Sequence, residues 1–554
     1  MRYTLSIFIT SLLGIALIAS CSSTPDLESA RNLITAEGIK HHINVLAHDS
    51  TMGRAPATPG EEKTVEYLIQ QFEEIGLVGG MQDGGFVQQV PVVSQTTKPG
   101  SVMNITRGNQ TIHSFDYFTD MMAWPAAGQE TVSIRDAEMV YVGYGIIAPE
   151  EDWDDYKGKD VTGKILVFKN SDPYSYEDKF AGNARLYYGR WSYKYEIAEE
   201  LGALGAIIIH TLPTAGYGWN VVSGSWARPR FALEDEMADS DTKLNAWLTH
   251  HHSRALFESA GLDLDEMLAM AESQDFEPVP LEGLRLNIDM EATYDRLTLK
   301  NVVGVLPGSD RNLRDEHLVF SAHHDHLGVG LAVDGDSIFN GAMDNASGTS
   351  AMIEMARAFK SVSPHVRRSV MFAAVGGEES GLLGSRYLAN NSPVPVGKIT
   401  ANINIDMING IGKTEDVIIV GKGRTSIDNI MIEEAEKKGR TVLPDQQPEQ
   451  GFYYRSDHFS FARVGIPALF PNPGVTYIDQ PDDFYEEFVV PHMQFIYHTV
   501  HDRPENIVSL EGAEQDMRLI FNVGFRVANA NEMQSWNSGD EFEAARLRAI
   551  EAVN

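Results

Sequence analysis

The chain has 554 residues, which is too many for one compact core. Its composition, 43% hydrophobic and 22% charged residues, is that of an ordinary globular protein. The formal net charge of -34 argues against a nucleic-acid partner, because phosphate binding needs clustered lysine and arginine side chains. Cys21 is the single cysteine, so a disulfide framework is excluded.

The first 21 residues are typical of an export signal that ends at a lipid-modified cysteine. An apolar run from Leu5 to Ile18 follows the charged Arg2, and it is too short and too early for a membrane-spanning helix. Residues 18–21, Ile-Ala-Ser-Cys, resemble the bacterial lipobox. We therefore predict export, lipidation of Cys21 and attachment to the cell envelope, with the outer membrane expected, on its periplasmic or surface side. Plain secretion and an unprocessed N-terminal anchor are the alternatives.

Residues 30–129 are expected to begin an α/β domain. Thr58-Pro59-Gly60-Glu61 has the residue types of a capping box with proline at the first helical position, and Gly76 is expected to end this helix.

Residues 130–285 have a different pattern, with short strands predicted at 140–146, 165–167 and 206–210. The segments GYGI, DVTGKILVF and AEELGALGAIIIH resemble the protease-associated domain, a small β-rich module inserted into several peptidases. This resemblance implies a cover over an active site or a part in substrate choice, without catalytic residues. His250, His251 and His252 are expected to form a helix end, because adjacent helical residues point in different directions and cannot all bind one ion.

Between 286 and 530, apolar strands alternate with helical segments. Strands are predicted at 318–322, 369–375, 399–405 and 466–470, with a helix at 347–360. This alternation predicts an α/β fold with a mainly parallel, mixed sheet sandwiched by helices. Residues 531–554 are predicted to be a C-terminal tail or short helix.

Potential metal ligands fall at the ends of these strands or in the loops that follow them. They are His323-His324-Asp325, Asp344, Glu378-Glu379 and Asp406. Functional groups collect at the carboxyl ends of strands in an open α/β sheet, and mixed imidazoles and carboxylates suit zinc or a similar divalent ion. Taken singly, each piece has a structural alternative: a hydrogen-bonded His-x-Asp pair, a solvated pair of glutamates, or an aspartate that caps a turn.

The segments AHHDH (322–326), NGAMDNASG (340–348), GEE (377–379), NIDM (404–407) and YHT (497–499) occur in that order. Together they resemble the five ligand motifs of the co-catalytic zinc peptidases, the family that includes bacterial leucyl aminopeptidases and glutamate carboxypeptidase II. The similarity covers most of the mature chain. It implies two divalent metal ions, expected to be zinc. By the same resemblance, one ion is held by His323 and Asp406 and the other by Glu379 and His498, with Asp344 bridging both.

The resemblance also implies roles for neighbouring residues. Asp325 is expected to orient His323, and Glu378 to act as general base. Either Tyr453 or Tyr497 is a candidate to stabilise the oxyanion.

Several alternatives stay open at this stage. His324 and His326 are alternative ligands in the first motif, and His501 is an alternative to His498. Asp457 and His458 are expected to be structural. Two places depart from the family pattern, Met52-Gly53-Arg54 and Val500, and neither is expected to touch a ligand.

The predicted function is therefore that of a metal-dependent exopeptidase, which hydrolyses terminal peptide bonds with a water activated by two metal ions. Peptide or protein termini are the expected substrates. The acidic segment from Asp479 to Glu487 favours an aminopeptidase, since a peptide amino terminus is a cation, and a solvated loop is the alternative interpretation of this segment. Alternatives are a carboxypeptidase, a glutaminyl cyclase on a related fold, or a non-catalytic receptor or scaffold.

Overall fold

The computed structural model describes residues 25–553 apart from 127, 177–178, 181, 183, 217, 227–228, 238–241 and 334. The predicted signal and Cys21 lie outside the described residues. Among the helices of the described part, none combines the length and the apolar character that a membrane span requires.

The described part of the chain alternates between strands and helices along most of its length. The strands are β1 Val78–Gly79, β2 Val87–Thr97, β3 Val102–Arg107, β4 Gln110–Asp116, β5 Met121–Pro125, β6 Thr131–Ala137, β7 Met139–Tyr141, β8 Ile147–Ala148, β9 Trp153–Asp154, β10 Ile165–Lys169, β11 Gly205–His210, β12 Arg230–Leu233, β13 Leu244–Thr249, β14 Val279–Pro280, β15 Arg285–Leu306, β16 His317–His323, β17 Gly328–Val333, β18 Asp336–Phe339, β19 Ser369–Val375, β20 Ile399–Asn404, β21 Asp416–Val420, β22 Thr441–Pro444 and β23 Ala468–Pro473. The α-helices are α1 Leu27–Arg31, α2 Ala36–Leu46, α3 Pro59–Ile75, α4 Trp191–Glu200, α5 Leu212–Ala215, α6 Trp219–Trp226, α7 His250–Ser259, α8 Leu264–Met270, α9 Gly348–Ser361, α10 Leu383–Asn390, α11 Ser426–Glu436, α12 His458–Arg463, α13 Val490–Ile496, α14 Glu511–Asn529 and α15 Glu543–Glu551.

The main sheet confirms the predicted mixed arrangement, but the parallel strands are mostly confined to its centre and most of the other pairs are antiparallel. Its principal order is β12-β2-β15-β19-β16-β20-β23-β21-β22. The central strands β19, β16, β20 and β23 are parallel, while β15 and β21 join them in antiparallel orientation. Every residue of β16, β19 and β20 is buried, as expected for strands covered on both faces.

Alternate residues of the central strands face two helical layers. Leu318 and Phe320 of β16 point into the core formed with α2, α3, α9, α11 and α14. Val319 points the other way, into a smaller core that includes Leu388 of α10 and Phe461 of α12. This alternation follows from the two-residue repeat of a strand, and it leaves the strand ends as the place where polar side chains can reach solvent.

A second sheet, in the order β14-β7-β10-β11-β13-β5, has its own hydrophobic core, which includes residues from Met103 to Met290. The long strand β15 belongs to the main sheet: its first part pairs with β3 and β6, and its later part pairs with β2 and β19. Residues of β3 and β6 contribute to the second core, as do Leu286, Ile288 and Met290 of β15. The second core therefore includes β3, although β3 precedes residue 130, where the insert was predicted to begin. The division of the chain into domains at 30–129, 130–285 and 286–530 stays a prediction.

Three local predictions can be compared with the structure. Helix α3 begins at Pro59 and ends at Gly76 (φ 80°) as predicted, but the capping box is absent. Glu61 instead accepts hydrogen bonds from the amides of Ala57 and Lys300, because its buried carboxylate is directed toward β15.

The strand predicted at 140–146 ends at Tyr141, because Gly143 and Gly145 adopt positive φ angles of 59° and 65° that turn the chain. His250, His251 and His252 form the first turn of α7, which Thr249 caps through its hydroxyl.

The C-terminal segment packs against the main domain. Its helix α15 follows Trp536 and Phe542, and both rings are buried in a small core with Tyr453 and Tyr454. The indole nitrogen of Trp536 donates a hydrogen bond to the carbonyl of Gly465, which satisfies the buried N–H group.

Candidate metal centre

The side chains predicted as metal ligands converge at the carboxyl edge of the parallel strands. β16 ends at His323, Asp406 follows β20, and Glu379 follows β19, so neighbouring strands deliver all three to one edge. The turn before α9 supplies Asp344, and His498 follows α13.

The first candidate group consists of His323, Asp344 and Asp406. The Nε2 atom of His323 lies 3.2 Å from Oδ1 of Asp406 and 3.3 Å from Oδ1 of Asp344. Two ligands of one tetrahedral zinc, each about 2.0–2.1 Å from the ion, lie roughly 3.3 Å apart. The donor atoms and their spacing therefore suit a zinc ion.

The second group shares Asp344 with the first. The other oxygen of Asp344, Oδ2, lies 3.0 Å from Nε2 of His498, and the same nitrogen lies 3.2 Å from Oε2 of Glu379. Nδ1 of His326 lies 2.7 Å from Oε1 of Glu379, and His326, Asp344 and Glu379 form a set that could hold an ion. The structure thus brings both His498 and His326 to the second group.

His324, the remaining alternative from the first motif, points away from both groups. Its Nε2 atom lies 2.8 Å from the carbonyl oxygen of Lys300, and its ring is buried against β15. The side chains of consecutive residues diverge at the end of β16, so His323 reaches the site and His324 does not.

Asp325 supports the site in a way that the sequence did not predict. Its carboxylate accepts hydrogen bonds from the amides of Glu378 (3.1 Å) and Glu379 (3.4 Å). Its Oδ1 atom lies 3.8 Å from Nδ1 of His323, beyond hydrogen-bond distance, while the backbone oxygen of Asp325 lies 3.3 Å from that nitrogen. The carboxylate therefore holds the turn that carries the two glutamates rather than the imidazole.

Ser456 and Asp502 also support the ligands, and their contacts were not predicted from the sequence. Ser456 donates a hydrogen bond of 2.5 Å to Oδ2 of Asp406, which leaves Oδ1 facing His323. Asp502 accepts hydrogen bonds from the amides of Met343 (2.7 Å) and Asp344 (3.0 Å). Asp502 lies four residues after His498 in the sequence, but this spacing does not indicate which backbone amides it binds. Partners of this kind orient ligating carboxylates.

The adjacent glutamates differ in their electrostatic environment. Burial raises the pKa of Glu378 well above its usual range, and the carboxylates of Asp406 and Glu379 act in the same direction, although His323 opposes them. Burial and the Asp344 carboxylate disfavour ionisation of Glu379, but His498 and His326 outweigh them and lower its pKa to about 2. Neighbouring carboxyl groups whose pKa values are shifted in opposite directions often have different chemical roles.

The two candidate tyrosines occupy different environments. The ring of Tyr497 stacks on His498 with centroids 3.9 Å apart, and 49% of the residue is exposed. Its partial burial and the carboxylates of Asp344 and Glu379 raise its pKa. Tyr453 lies instead in the small C-terminal core, under the guanidinium of Arg424 at 4.3 Å from the ring centroid. Its buried hydroxyl has no hydrogen-bond partner among the described residues. The structure therefore places Tyr497, but not Tyr453, beside the ligands.

Asp457 and His458 are both fully buried. His458 stacks on Phe470 with ring centroids 4.5 Å apart and contacts the Tyr453 ring. These contacts are those of a side chain that packs in the core.

Residues 301–522 match peptidase family M28, and this region contains every residue of the two candidate groups. We call residues 301–522 the M28 region. The M28 region contains the parallel strands β16, β19, β20 and β23 and the loops at their carboxyl edge.

Related proteins support the same assignment. Aminopeptidase YwaD of Bacillus subtilis (strain 168) is 34% identical over 134 residues, which cover 23% of this chain and 27% of YwaD. The chain thus spans only about a quarter of the length of the first curated relatives that it matches. The probable lipoprotein aminopeptidase LpqL of Mycobacterium tuberculosis is 21% identical over 467 residues, covering 79% of this chain and 74% of LpqL.

The structure of an aminopeptidase from Aneurinibacillus sp. strain AM-1 superposes with a TM-score of 0.50 at 19% identity. The match covers 92% of this chain and 97% of that one, so the M28 region and the second sheet occur together in a known fold.

Proposed function

We propose that this protein is a zinc-dependent exopeptidase with two neighbouring metal positions, and that it acts as an aminopeptidase. One observation carries this proposal: the two oxygens of Asp344 face different groups, one toward His323 and the other toward His498. A carboxylate placed in this way suits a bridge between two ions a few ångströms apart. The first ion would be held by His323, Asp344 and Asp406. The second would be held by Asp344, Glu379 and a histidine, His498 by the family pattern, with His326 within reach.

Zinc ions bound at these positions would polarise the scissile carbonyl and lower the pKa of a water molecule between them. Glu378 lies in neither candidate group, and Asp325 holds its backbone amide. We assign Glu378 the role of general base, which accepts a proton from the attacking water and passes it to the leaving amine. Tyr497, stacked on His498, would donate a hydrogen bond to the oxyanion.

The amino-terminal direction rests on the names of the relatives rather than on the charge of the ligands, because the charge of bound zinc ions would offset that of the carboxylates. YwaD and LpqL are both named as aminopeptidases, which agrees with this direction.

We expect the zinc-loaded chain from residue 22 to remove residues stepwise from the amino terminus of a peptide. An N-acetylated form of the same peptide should resist cleavage, whereas a C-amidated form should be cleaved like the free peptide. Mass spectrometry of the products over time distinguishes these cases. Treatment with a chelator should abolish the reaction, and added zinc should restore it.

Cleavage from the other end, blocked by amidation, would instead establish a carboxypeptidase. Conversion of N-terminal glutamine to pyroglutamate without peptide hydrolysis would establish a glutaminyl cyclase. If a diverse peptide set is left intact by protein that contains two zinc ions, the peptidase proposal is wrong and a receptor or scaffold is favoured.

We also propose that residues 130–285 form a protease-associated insert that limits access to the site. Ion pairs join this segment to the M28 region, Glu236 with Arg386 and Glu196 with Arg463. The ring of Tyr187 packs against Phe459 with centroids 5.3 Å apart.

We further propose that Cys21 carries a lipid that anchors the protein to the cell envelope, which agrees with the word lipoprotein in the name of LpqL. The Cys21→Ser variant is expected to lose incorporation of labelled palmitate and to leave the membrane fraction after cell disruption. The neighbouring Ser22→Ala variant should behave like the natural protein. Retention of Cys21→Ser protein in washed membranes would show that another feature anchors the chain.

A further inference from the structure

Arg54 lies in a turn between α2 and α3 where the chain passes close to the β17–β18 hairpin. A Cβ atom on Gly53 would lie 2.3 Å from the carbonyl oxygen of Phe339 and 2.7 Å from that of Gly328, so only glycine fits at this position. The turn also has positive φ angles at Met52 (50°) and Gly53 (67°). This close approach directs the Arg54 side chain beneath the hairpin, where it is fully buried.

The guanidinium of Arg54 donates hydrogen bonds to four backbone carbonyl groups. The acceptors are Leu46 (2.9 Å), His324 (2.8 Å), Asn340 (2.6 Å) and Gly341 (2.8 Å). They belong to three segments: the end of α2, the loop that follows His323, and the loop that leads to Asp344. A buried arginine is costly unless its donors are satisfied, so these three segments must keep their relative positions for Arg54 to remain buried.

The loop 340–344 is held from its other side by an anion. The carboxylate of Asp502 accepts from the amides of Met343 and Asp344, and its backbone oxygen accepts from Ala342. A cation thus binds carbonyl groups at one end of the loop and an anion binds amides at the other. Together these contacts determine where Asp344 stands relative to His323.

The charge of Arg54 is also close to the metal-ligand carboxylates. Burial lowers its pKa to about 10, while the carboxylates of Asp502, Asp325, Asp344 and Glu379 act in the opposite direction. Arg54 is therefore charged at neutral pH, and it offsets part of the repulsion among carboxylates that crowd together before a metal binds.

We propose that Arg54 is a positioning residue for the metal centre: it sets the spacing between the His323 loop and the Asp344 loop and keeps the two ligand groups assembled without metal. This inference rests on the proposed two-zinc site. Lysine is a poor substitute, because one ammonium offers three donors at a single point, whereas the planar guanidinium reaches carbonyl groups of three segments.

The test measures zinc affinity of the chain from residue 22 by competition with a chromophoric chelator, for the natural protein, Arg54→Met and Arg54→Lys. We expect Arg54→Met to bind zinc about 10- to 100-fold more weakly, the usual loss when a partner of the ligands is removed. Arg54→Lys should fall in between. The visible spectrum of the cobalt-loaded Arg54→Lys protein should differ from that of the natural protein, because the ligand geometry changes.

Arg368 offers a matched control, since it is also fully buried, forms an ion pair of 2.7 Å with Glu316 and donates to the carbonyl groups of Val527 and Ala530. Arg368→Met should lower Tm without changing zinc affinity. If the Arg54 variants bind zinc as tightly as the natural protein and show its cobalt spectrum, the inference is overturned. If Arg54→Met does not fold, the Arg54→Lys measurements decide in the same way. A natural protein that fails to bind zinc would overturn the proposed function instead.

Discussion

Replacing Glu378 with glutamine is expected to lower kcat by about 10²- to 10⁴-fold while leaving zinc affinity unchanged, because a general base contributes this much to proton transfer. Each tenfold loss corresponds to about 1.4 kcal/mol of transition-state stabilisation. Glutamine keeps the size of the side chain but cannot accept a proton. Asp325 holds position 378 through its backbone amide, so the turn should persist and Glu379 should stay in place.

The measurement combines steady-state kinetics on one peptide with the zinc content of the purified protein. Glu354→Gln is a suitable control, since Glu354 is a buried glutamate of the M28 region that pairs with His42 and lies outside both ligand groups. That variant should retain kcat. A Glu378→Gln protein that keeps its activity would exclude Glu378 as the base, and one that loses a zinc ion would make Glu378 a ligand.

Replacing Asp344 with asparagine is expected to reduce bound zinc from two ions to one or none and to abolish detectable turnover. Asp344 is the side chain shared by both groups, with one oxygen 3.3 Å from His323 and the other 3.0 Å from His498. Asparagine can offer one neutral oxygen to one ion and places an amide nitrogen toward the other. Zinc affinity should fall by more than about 100-fold, the upper end of the loss seen when an outer partner is removed.

Two variants make this result specific. His498→Ala removes a predicted ligand from the second group alone, so it should retain one tightly bound zinc. Asp516→Asn alters a buried aspartate that pairs with Arg440 at 2.7 Å, outside both ligand groups, and should retain both ions. Equilibrium dialysis with metal analysis gives the stoichiometry for each. Two tightly bound ions in Asp344→Asn would rule out the bridging role.

The sequence alone determined the main sheet and the edge at which chemistry is placed. Strands β16 and β19 contain the apolar runs Leu318–Phe320 and Val370–Val375, because both of their faces are buried, and such runs are readable from local composition. The same reasoning placed His323, Asp344, Glu379 and Asp406 near one another, since parallel strands end at one edge. The mixed sheet is confirmed, and the roles of these residues stay predictions that the experiments above address.

Only the tertiary structure decided which side chains reach the site and what supports them. His326 faces Glu379 while His324 faces β15, and Tyr497 lies beside the ligands while Tyr453 is in a separate core. The Asp325 carboxylate holds the turn of the glutamates, and Arg54, more than 250 positions from Asp344 in the chain, holds the loop that leads to it. Sequence patterns report the repeat of a strand or helix, which is local. Beyond the end of a strand, the direction of a side chain depends on its hydrogen bonds and packing with segments that are distant in the chain. The periodicity of the sequence carries no information about these contacts.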